Sequence, residues 1–168
     1  AAFDRGWHVL LEKPMVCGVD EARKLIARRD EVRKVLLVSY QRHYLPEFRF
    51  MKRMIESGDF GQVQFASAMQ CQDWKRATAG TWRQNPALSG GGQLNDSGSH
   101  LLDIIMWVMG LRVNSVFAFI NNLGTPVDIN SAISLRFEGG AEGSISVVGE
   151  APVWWEDITI WGTKAAFF

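Results

Sequence analysis

The sequence contains little cysteine, and none of it is arranged as a metal site or a disulfide framework. Cys17 and Cys71 are the only two cysteines among 168 residues, and neither lies in a CxxC or Cys/His cluster. This spacing excludes the common zinc motifs and the cross-linked scaffolds of small secreted domains. We therefore predict two free thiols, no metal site and a cytoplasmic protein, since free thiols suit a reducing compartment.

Charge of one sign and long apolar runs are also missing. Eighteen Lys and Arg residues balance eighteen Asp and Glu residues, so no basic field attracts nucleic acid or an anionic membrane. The longest apolar helical stretch, around Leu101 to Met109, is too short to span a bilayer and contains Asp103. We expect no nucleic-acid partner and no membrane partner, and regard a small neutral or mixed ligand as the natural partner.

Two further absences concern the ends of the chain and its glycines. The chain does not begin with methionine, and no GxGxxG motif follows a strand, so the dinucleotide-binding fingerprint is missing. Gly6 to Leu11 already reads as a connection into a buried strand, and the chain ends on Phe167 and Phe168 without a capping signal. We expect truncation at both ends, which makes the missing targeting signal uninformative.

The first part of the chain does contain a strand, a helix and a second strand. His8 to Leu11 and Val35 to Val38 are apolar runs typical of parallel strands, and Asp20 to Asp30 is an amphipathic helix between them. This order predicts one right-handed parallel unit, the tail of a doubly wound sheet. Glu12 and Lys13 follow the first strand, where open parallel sheets bind ligands; the alternative is a solvated turn.

The rest of the chain predicts a mostly antiparallel sheet with helices. Pro46 to Ile55 is a helix, and alternating apolar residues predict strands near residues 63–70, 113–121, 130–137, 143–148 and 158–161. Gly139-Gly140 is a hairpin signal between two of these strands. The fold class is therefore α/β passing into α+β: the end of a parallel sheet, then an open antiparallel sheet with helices on one face.

A long loop after the strand near residues 63–70 bears Trp74, Trp82 and Arg83. Long loops rich in Trp and Arg often line a binding pocket. Tryptophans also cover the faces of sheets, where they bury a large apolar surface. The residues alone leave both interpretations open.

A run of glycines and the helix after it hold an acid and an imidazole. Gly90-Gly91-Gly92 leads into a buried helix over Leu101 to Met109 that ends at the next glycine. Asp96 or Ser97 is the expected N-cap, and His100 lies four residues after Asp96, on the same face of the helix. These residues form either a polar site at a helix N-terminus, or a cap and a buried structural histidine.

The order and spacing of these motifs favour the functional interpretation, because together they resemble one family. The chain is similar to the glucose-fructose oxidoreductase, inositol dehydrogenase and rhizopine-catabolism family (Gfo/Idh/MocA), and the resemblance covers almost its whole length. The residues that carry it are Glu12-Lys13-Pro14, Tyr40-Gln41-Arg42, Trp82-Arg83, Gly90 to His100, Val127 to Asn130 and Gly162-Thr163-Lys164.

The resemblance implies a Rossmann domain that binds NAD or NADP, followed by a sheet domain that binds substrate. On this basis residues 1–42 are the C-terminal remnant of the Rossmann domain, and residues 43–168 are the substrate-binding and oligomerisation domain, truncated at its C-terminus. The family also implies a homodimer or homotetramer formed through the open sheet. Apolar residues that we expect on that exposed face are Ile133, Leu135, Ile145 and Val147.

The resemblance also implies roles for individual residues. Lys13, Asp96 and His100 would be catalytic: His100 exchanges a proton with the reacting hydroxyl, Lys13 stabilises the developing alkoxide, and Asp96 orients the imidazole or the sugar. Asp96 and His100 would also bind the substrate, together with Arg42. The residues expected beside the cofactor are Glu12, Lys13, Trp82 and Arg83.

Three functions are compatible with these motifs. The first is an NAD(P)-dependent oxidoreductase acting on a hydroxyl or carbonyl of a sugar, cyclitol or related polyol, with this fragment inactive alone because the glycine-rich loop is missing. The second is a glycoside hydrolase of the same family that uses tightly bound NAD for redox-assisted cleavage. The third is a catalytically silent sheet domain used for oligomerisation.

Overall fold

The structure, a computed structural model, describes residues 1–168. Its strands are β1 (Val9–Leu11), β2 (Leu36–Val38), β3 (Val63–Cys71), β4 (Val113–Asn121), β5 (Asn130–Phe137), β6 (Glu142–Val148), β7 (Trp155–Gly162) and β8 (Ala166–Phe167). Its α-helices are α1 (Val19–Val32), α2 (Pro46–Glu56), α3 (Trp74–Ala77), α4 (Pro86–Ser89) and α5 (Ser99–Met109). None of them combines the length and the apolar character needed to cross a lipid bilayer.

The first unit is the predicted strand, helix and strand. β1 and β2 pair in parallel, with Leu10 beside Leu37, and α1 connects them. The helix begins after Gly18 and ends at Arg33, which adopts a left-handed conformation with φ of 53°. Phe3 is the only buried side chain of this unit, so its two-stranded sheet has little core of its own.

The second unit is a six-stranded sheet in the order β4-β5-β6-β3-β7-β8. β3 lies in the interior of the sheet, parallel to β6 and antiparallel to β7, so that Ser67 lies beside both Ser144 and Thr159. All other pairs are antiparallel, which confirms the predicted sheet type. The predicted hairpin at Gly139-Gly140 is also confirmed, with both residues in the left-handed region at φ of 85° and 93°.

Helices α2 and α5 cover one face of this sheet and enclose the core, as predicted. Apolar residues of α5 recur three and four positions apart, so they share the face that meets the sheet. Leu101, Ile104, Ile105 and Val108 are at most 1% exposed. Each such side chain contributes roughly 1.5–3 kcal/mol when it leaves water, so this helix is the main apolar partner of the sheet.

The opposite face carries no helix, and the residues expected there are not on it. Ile133 and Leu135 are 7% exposed and Ile145 and Val147 are 1% exposed, because all four point towards the helices. On β5 and β6 the more apolar side of the strand packs against the helices. The prediction that these four residues lie on the exposed face is therefore wrong.

The open face instead combines aromatic residues with a row of hydroxyls. Phe117 and Phe119 on the edge strand β4 are 61% and 71% exposed. The hydroxyl row crosses four neighbouring strands and consists of Ser134, Ser144, Ser67 and Thr159. This face is thus partly apolar and partly polar, and it lacks a second layer.

A register shift in β3 decides which of its side chains face the helices. The shift lies between Val63 and Phe65, and beyond it Ala66, Ala68 and Gln70 are buried on the helix side. Phe65 consequently lies on the open face. The inward row of β3 therefore ends in a polar residue, Gln70, at the end of the strand.

Candidate active site

The candidate site lies where the carboxyl end of β1 meets the start of α5. A Cβ on Gly92 would overlap the backbone of Asp128, so glycine is required for the close approach of these two segments. The Asp128 carboxylate accepts hydrogen bonds from the backbone N–H groups of Gly92 at 2.6 Å and Leu94 at 2.7 Å. The cap of this helical segment is therefore Asp128, and the predicted N-cap at Asp96 or Ser97 is wrong.

A π-helical turn from Leu94 to Gly98 precedes α5 and contains Asp96. Such turns are rare and are frequently found at functional sites. The turn is held against the sheet at two points: Gln72 Nε2 donates to Ser97 Oγ at 2.5 Å, and Gly98 packs closely on Val147, whose Cγ1 would lie 3.1 Å from an added Cβ. The start of α5 is thus fixed over the ends of β3 and β6.

The Asp96 carboxylate is the centre of the polar cluster. Its Oδ1 accepts a hydrogen bond from Lys13 Nζ at 2.6 Å, and its Oδ2 accepts from the Trp74 indole at 2.9 Å and from Arg83 Nε at 3.1 Å. Burial alone would raise the pKa of Asp96, but the hydrogen bonds from Lys13 and Trp74 and the charges of Lys13 and Arg83 lower this pKa below its ordinary value. Asp96 is therefore an anion at neutral pH.

His100 lies on the first turn of α5 beside this cluster. The Tyr40 ring meets its imidazole edge-on, with ring centroids 5.6 Å apart, and the imidazole Nδ1 is buried without a hydrogen-bond partner in the chain. Burial lowers the pKa of His100, and the charges of Lys13 and Arg42 lower it further against the opposing effect of two nearby carboxylates. The neutral imidazole, which accepts a proton, is therefore favoured at neutral pH.

Arg42, the further residue predicted to bind substrate, lies in the same region but is paired. Its Nη1 and Nη2 donate to the two carboxylate oxygens of Glu156, each at 2.7 Å. Gln70 Nε2 donates to Glu156 Oε2 at 2.8 Å. The side chains of Arg42 and Glu156 are only 15% and 14% exposed, so the pair is enclosed. A role of Arg42 in substrate binding stays a prediction.

Sequence reasoning missed Glu156 and Gln70. Glu156 continues the inward-facing positions of β7 that Ile158 and Ile160 occupy, and Gln70 does the same after Ala68 on β3. The available signal was a polar residue at an inward position at the end of a strand. Such a residue needs a buried partner, and here the two residues are partners of each other.

The other residues predicted to bind the cofactor lie at the exposed edge of the site. Glu12 is exposed and forms no hydrogen bond within the chain. Trp82 is 48% exposed, and the Arg83 guanidinium lies over its ring, 4.8 Å from the centroid. Trp74, by contrast, is 4% exposed and binds Asp96. The tryptophan-rich loop thus contributes both a buried donor and an exposed surface, and cofactor contacts stay a prediction.

A second acid and imidazole lie one turn further along α5. Asp103 Oδ2 and His43 Nε2 are 2.7 Å apart, and His43 stacks on Trp107 with ring centroids 4.4 Å apart. Lys52 Nζ lies 5.0 Å from the Trp107 ring centroid and donates to the Trp107 carbonyl at 3.0 Å. Burial raises the pKa of Asp103, although the neighbouring His43 and Arg42 oppose this.

The residues of the site fit the reacting end of a nicotinamide dinucleotide. Lys13 follows a parallel strand, and nucleotides bind at this edge of open α/β sheets. Its side chain is 17% exposed and its ammonium is held by the Asp96 carboxylate, which Arg83 also binds. The chain has no GxGxxG turn, so these residues would hold only the end of the cofactor that faces His100.

Comparison with known protein families gives one match that covers most of the chain. A family profile described as the GFO/IDH/MocA C-terminal domain matches residues 48–168. These residues include most of α2, all of α5 and the whole six-stranded sheet. The match therefore covers the fold that positions Asp96 and His100.

Individual relatives are about a quarter identical to this chain over the aligned residues. It is 25% identical to levoglucosan dehydrogenase from Pseudarthrobacter phenanthrenivorans, over 90% of this chain and 45% of the relative. It is 29% identical to D-glucoside 3-dehydrogenase from Escherichia coli, over 70% of this chain and 33% of the relative.

A solved structure gives the same picture. The WlbA dehydrogenase from Bordetella pertussis, in complex with NADH and UDP-GlcNAcA, is 28% identical and superposes with a TM-score of 0.88, over 98% of this chain and 50% of that one. The chain thus spans about half, or less, of the length of these proteins.

Proposed function

Because the chain belongs to the GFO/IDH/MocA family, we propose that it carries the substrate site of an NAD(P)-dependent oxidoreductase. The proposed substrate is a sugar, cyclitol or related polyol that is oxidised at a hydroxyl or reduced at the corresponding carbonyl. Two relatives are named for levoglucosan and for a D-glucoside, which supports this class. We further propose that residues 1–42 belong to the cofactor domain and residues 43–168 to the substrate domain.

The arrangement of Lys13, Asp96 and His100 is the observation that carries the proposal. Lys13 and Asp96 are separated by 83 residues in the sequence, yet their side chains meet at 2.6 Å. His100 stands at the same helix start with a lowered pKa. A lysine and a carboxylate alone would be an ordinary ion pair, but a neutral imidazole beside them adds an acceptor for a proton.

His100 is the proposed acid/base. Its neutral imidazole accepts the proton of the reacting hydroxyl as the carbon–oxygen bond becomes a carbonyl, and it returns this proton in the reverse reaction. The lowered pKa of His100 keeps the accepting form populated at neutral pH. Oxidation should therefore decline only as the pH falls through that lowered pKa.

Lys13 and Asp96 supply the electrostatic part of the mechanism. The Lys13 ammonium stabilises the negative charge that develops on the substrate oxygen. Asp96 holds the ammonium in place, and the Trp74 and Arg83 donors fix the carboxylate in turn, so little reorganisation is needed during reaction. NAD or NADP bound at this edge would accept or supply the hydride.

The test is the oxidation of a set of polyols by the complete protein. Levoglucosan, methyl β-D-glucoside and myo-inositol are each incubated with NAD and with NADP, and reduction of the nicotinamide is followed. Reduction that is lost in His100→Ala supports the proposal. Nucleotide binding without reduction for any substrate of this class would contradict it. Release of nitrophenol from a nitrophenyl glucoside would replace it with redox-assisted glycoside cleavage.

Assembly of copies through the open face is a second proposed role, favoured by the aromatic pair on β4. Phe117 and Phe119 meet edge to face with centroids 4.9 Å apart, and both are largely exposed on a sheet face without a second layer. Such a surface fits a self-complementary contact in a homodimer, or in a tetramer built from dimers.

Sedimentation of the complete protein at several concentrations tests this role. Phe119→Ser should weaken association, whereas Val153→Ser, which changes an apolar residue of similar exposure outside the sheet, should not. A wild-type protein that stays monomeric at every concentration would contradict the proposed assembly.

A further inference from the structure

Two buried polar atoms near the Lys13, Asp96 and His100 cluster have no hydrogen-bond partner in the chain. One is Nδ1 of His100, and the other is Oε1 of Gln70. Buried polar groups in folded proteins are almost always paired. Gln93 Oε1 and Ser131 Oγ are also unpaired, but His100 and Gln70 share a neighbour, the Arg42–Glu156 pair, so one explanation can account for both.

Both atoms belong to residues of elements that share one apolar core, α5 and β3. Gln70 is 4% exposed and occupies the inward position at the end of β3, where Val147 is its partner in β6. Gly98 packs directly on Val147, and His100 follows on the first turn of α5. The charge of Glu156, whose carboxylate binds the Gln70 amide, also acts on the His100 imidazole, so the two side chains have a common neighbour.

The orientation of the Gln70 amide is settled by Glu156. The Gln70 NH2 group donates to Glu156 Oε2 at 2.8 Å, and both oxygens of Glu156 are already bound by Arg42. An ionised carboxylate only accepts hydrogen bonds, so the nitrogen of the amide must face it. The amide oxygen of Gln70 consequently points away from Glu156 as an acceptor without a donor.

His100 has a ring nitrogen that can donate a hydrogen bond but has no acceptor. The chain leaves its Nδ1 buried and unpaired, so Nε2 is the ring nitrogen that can meet a substrate. A neutral imidazole carries one proton, on either nitrogen. If Nδ1 carries it, the buried nitrogen is a donor and Nε2 keeps the lone pair that a base requires.

We propose that Gln70 is a positioning residue for His100, with Gln70 Oε1 accepting the Nδ1–H of the imidazole through one bridging water molecule. This fixes the tautomer in which Nε2 faces the substrate as the proton acceptor. The Arg42–Glu156 pair anchors the Gln70 amide. The inference rests on the proposed function in one respect: only a histidine that acts as a base needs this tautomer.

The charged groups that face His100 are Lys13, Arg42, Asp96 and Glu156. Gln70 is uncharged, so a neutral replacement leaves this electrostatic environment in place. Effects of such a replacement on the tautomer then report the hydrogen bond rather than a change in charge. This separates a positioning role of Gln70 from a general electrostatic one.

The experiment is 15N NMR of histidine-labelled complete protein, which identifies the protonated ring nitrogen. His8 is an internal reference, because its Nδ1 accepts from the Val35 N–H at 2.9 Å and its proton must therefore lie on Nε2. The signal of His100 is assigned by its loss in His100→Gln. We expect Nδ1–H for His100 in the wild type.

Two substitutions of Gln70 and one control complete the design. Gln70→Met keeps the length but removes the acceptor, so His100 should move mainly to the Nε2–H form, and kcat should fall at least ~10-fold with KM nearly unchanged. Gln70→Glu keeps an acceptor, because one acid of a close pair retains its proton, and should keep the Nδ1–H form. Ser131→Ala removes another buried unpaired oxygen elsewhere in the sheet and should change neither.

An Nε2–H form of His100 in the wild type, or an unchanged tautomer in Gln70→Met, would overturn the inference. Because the tautomer is read without substrate, its outcome is independent of the oxidoreductase assay. A Gln70-dependent tautomer in a protein that oxidises no polyol would leave the positioning role standing and remove the proposed function.

Discussion

Two acids, one just before α5 and one on it, are buried to a similar degree but have pKa values that are shifted in opposite directions. Asp96, just before the helix, accepts hydrogen bonds from Lys13, Trp74 and Arg83, and its pKa is lowered. Asp103, one turn beyond His100, has only His43 as a hydrogen-bond partner, and burial raises its pKa. Similar burial thus leaves the ionised form favoured at Asp96 and disfavoured at Asp103, because Asp96 has three hydrogen-bond donors and Asp103 has one partner.

The two imidazoles beside these acids differ as well. His43 is bonded to Asp103 and stacked on Trp107, so its ring has little capacity left for a ligand. His100 has a packed ring but no hydrogen bond to any group of the chain. The comparison teaches that a candidate site has hydrogen-bonding atoms without a partner beside held charges, as at His100. In a structural pair such as His43 and Asp103, the side chains bind each other.

The largest expected difference concerns turnover. His100→Ala or Lys13→Ala in the complete protein should lower kcat at least ~100-fold, through loss of the base or of alkoxide stabilisation. His43→Ala, the matched change one turn away, should change kcat by less than about threefold because His43 is not at the reacting centre. Steady-state kinetics with the best substrate of the set measures all three. Near wild-type turnover of both Lys13→Ala and His100→Ala would contradict the catalytic roles proposed for these two residues.

Removing the charge of Asp96 should be the largest effect on stability. Asp96→Asn leaves Lys13 and Arg83 without their anion and should lower the free energy of unfolding by about 1–3 kcal/mol. Asp20→Asn, in an exposed pair with Arg23, is the control and should have almost no effect. Urea unfolding at neutral pH measures both. Equal effects of the two substitutions would show that the Asp96 cluster is no more than a surface pair.

The two acids should also give stability opposite dependences on pH. Asp96 has a lowered pKa, so its contribution is present above its unfolded value near 3.8 and is lost as the pH falls through the folded value. Asp103 has a raised pKa, so the folded state gains stability as the pH falls from that pKa towards 3.8.

Unfolding free energies of the wild type, Asp96→Asn and Asp103→Asn across this acidic range check the signs. Asp103→Asn should lack the gain in unfolding free energy on acidification that Asp103 gives the wild type. Asp96→Asn should lack the loss that Asp96 causes at lower pH. Differences from wild type that run in the same direction for both variants would refute the contrast between the two acids.

The smallest effect is expected on the far side of Trp107. Lys52→Met removes the cation from the ring that stacks on His43 and should cost less than about 1 kcal/mol. Lys24→Met on the exposed face of α1 is the matched control with no aromatic partner. Thermal unfolding of both variants compares them. If Lys52→Met lowered stability much more than Asp96→Asn, the main electrostatic support of α5 would lie at its C-terminal end and not at its start.

Local pattern was sufficient to predict the order of α1, α2, α5 and strands β1 to β7, the end of α5 at Gly110 and the antiparallel sheet, whereas α3, α4 and β8 were not predicted. It did not give the face of β5 and β6 correctly: alternation shows that Ile133 and Leu135 share one face, but only the packing of α2 and α5 shows which face is covered. The cap was missed for a similar reason: Asp128 is distant in sequence from the helix that it caps. Gln70 and Glu156 meet only because β3 pairs with β7.

Lys13, Asp96 and His100 were selected from the sequence by family resemblance, and the structure brings them together. The residues alone gave only an acid four positions before an imidazole, which a cap and a core histidine would also explain. Long-range contacts between β1 and α5 cannot be inferred from such spacing. The glycine run allows the segment after β1 to come close, because a Cβ on Gly90 would overlap Cys17.

The position of β3 has a consequence for how the chain is made. Both of its neighbours in the sheet, β6 and β7, come much later in the sequence, so during synthesis β3 leaves the ribosome long before either is available. Closing such long loops is slow, and until then β3 has two unpaired edges and α5 has no sheet to cover its apolar side. The nascent chain should therefore depend on chaperone protection until β7 has emerged.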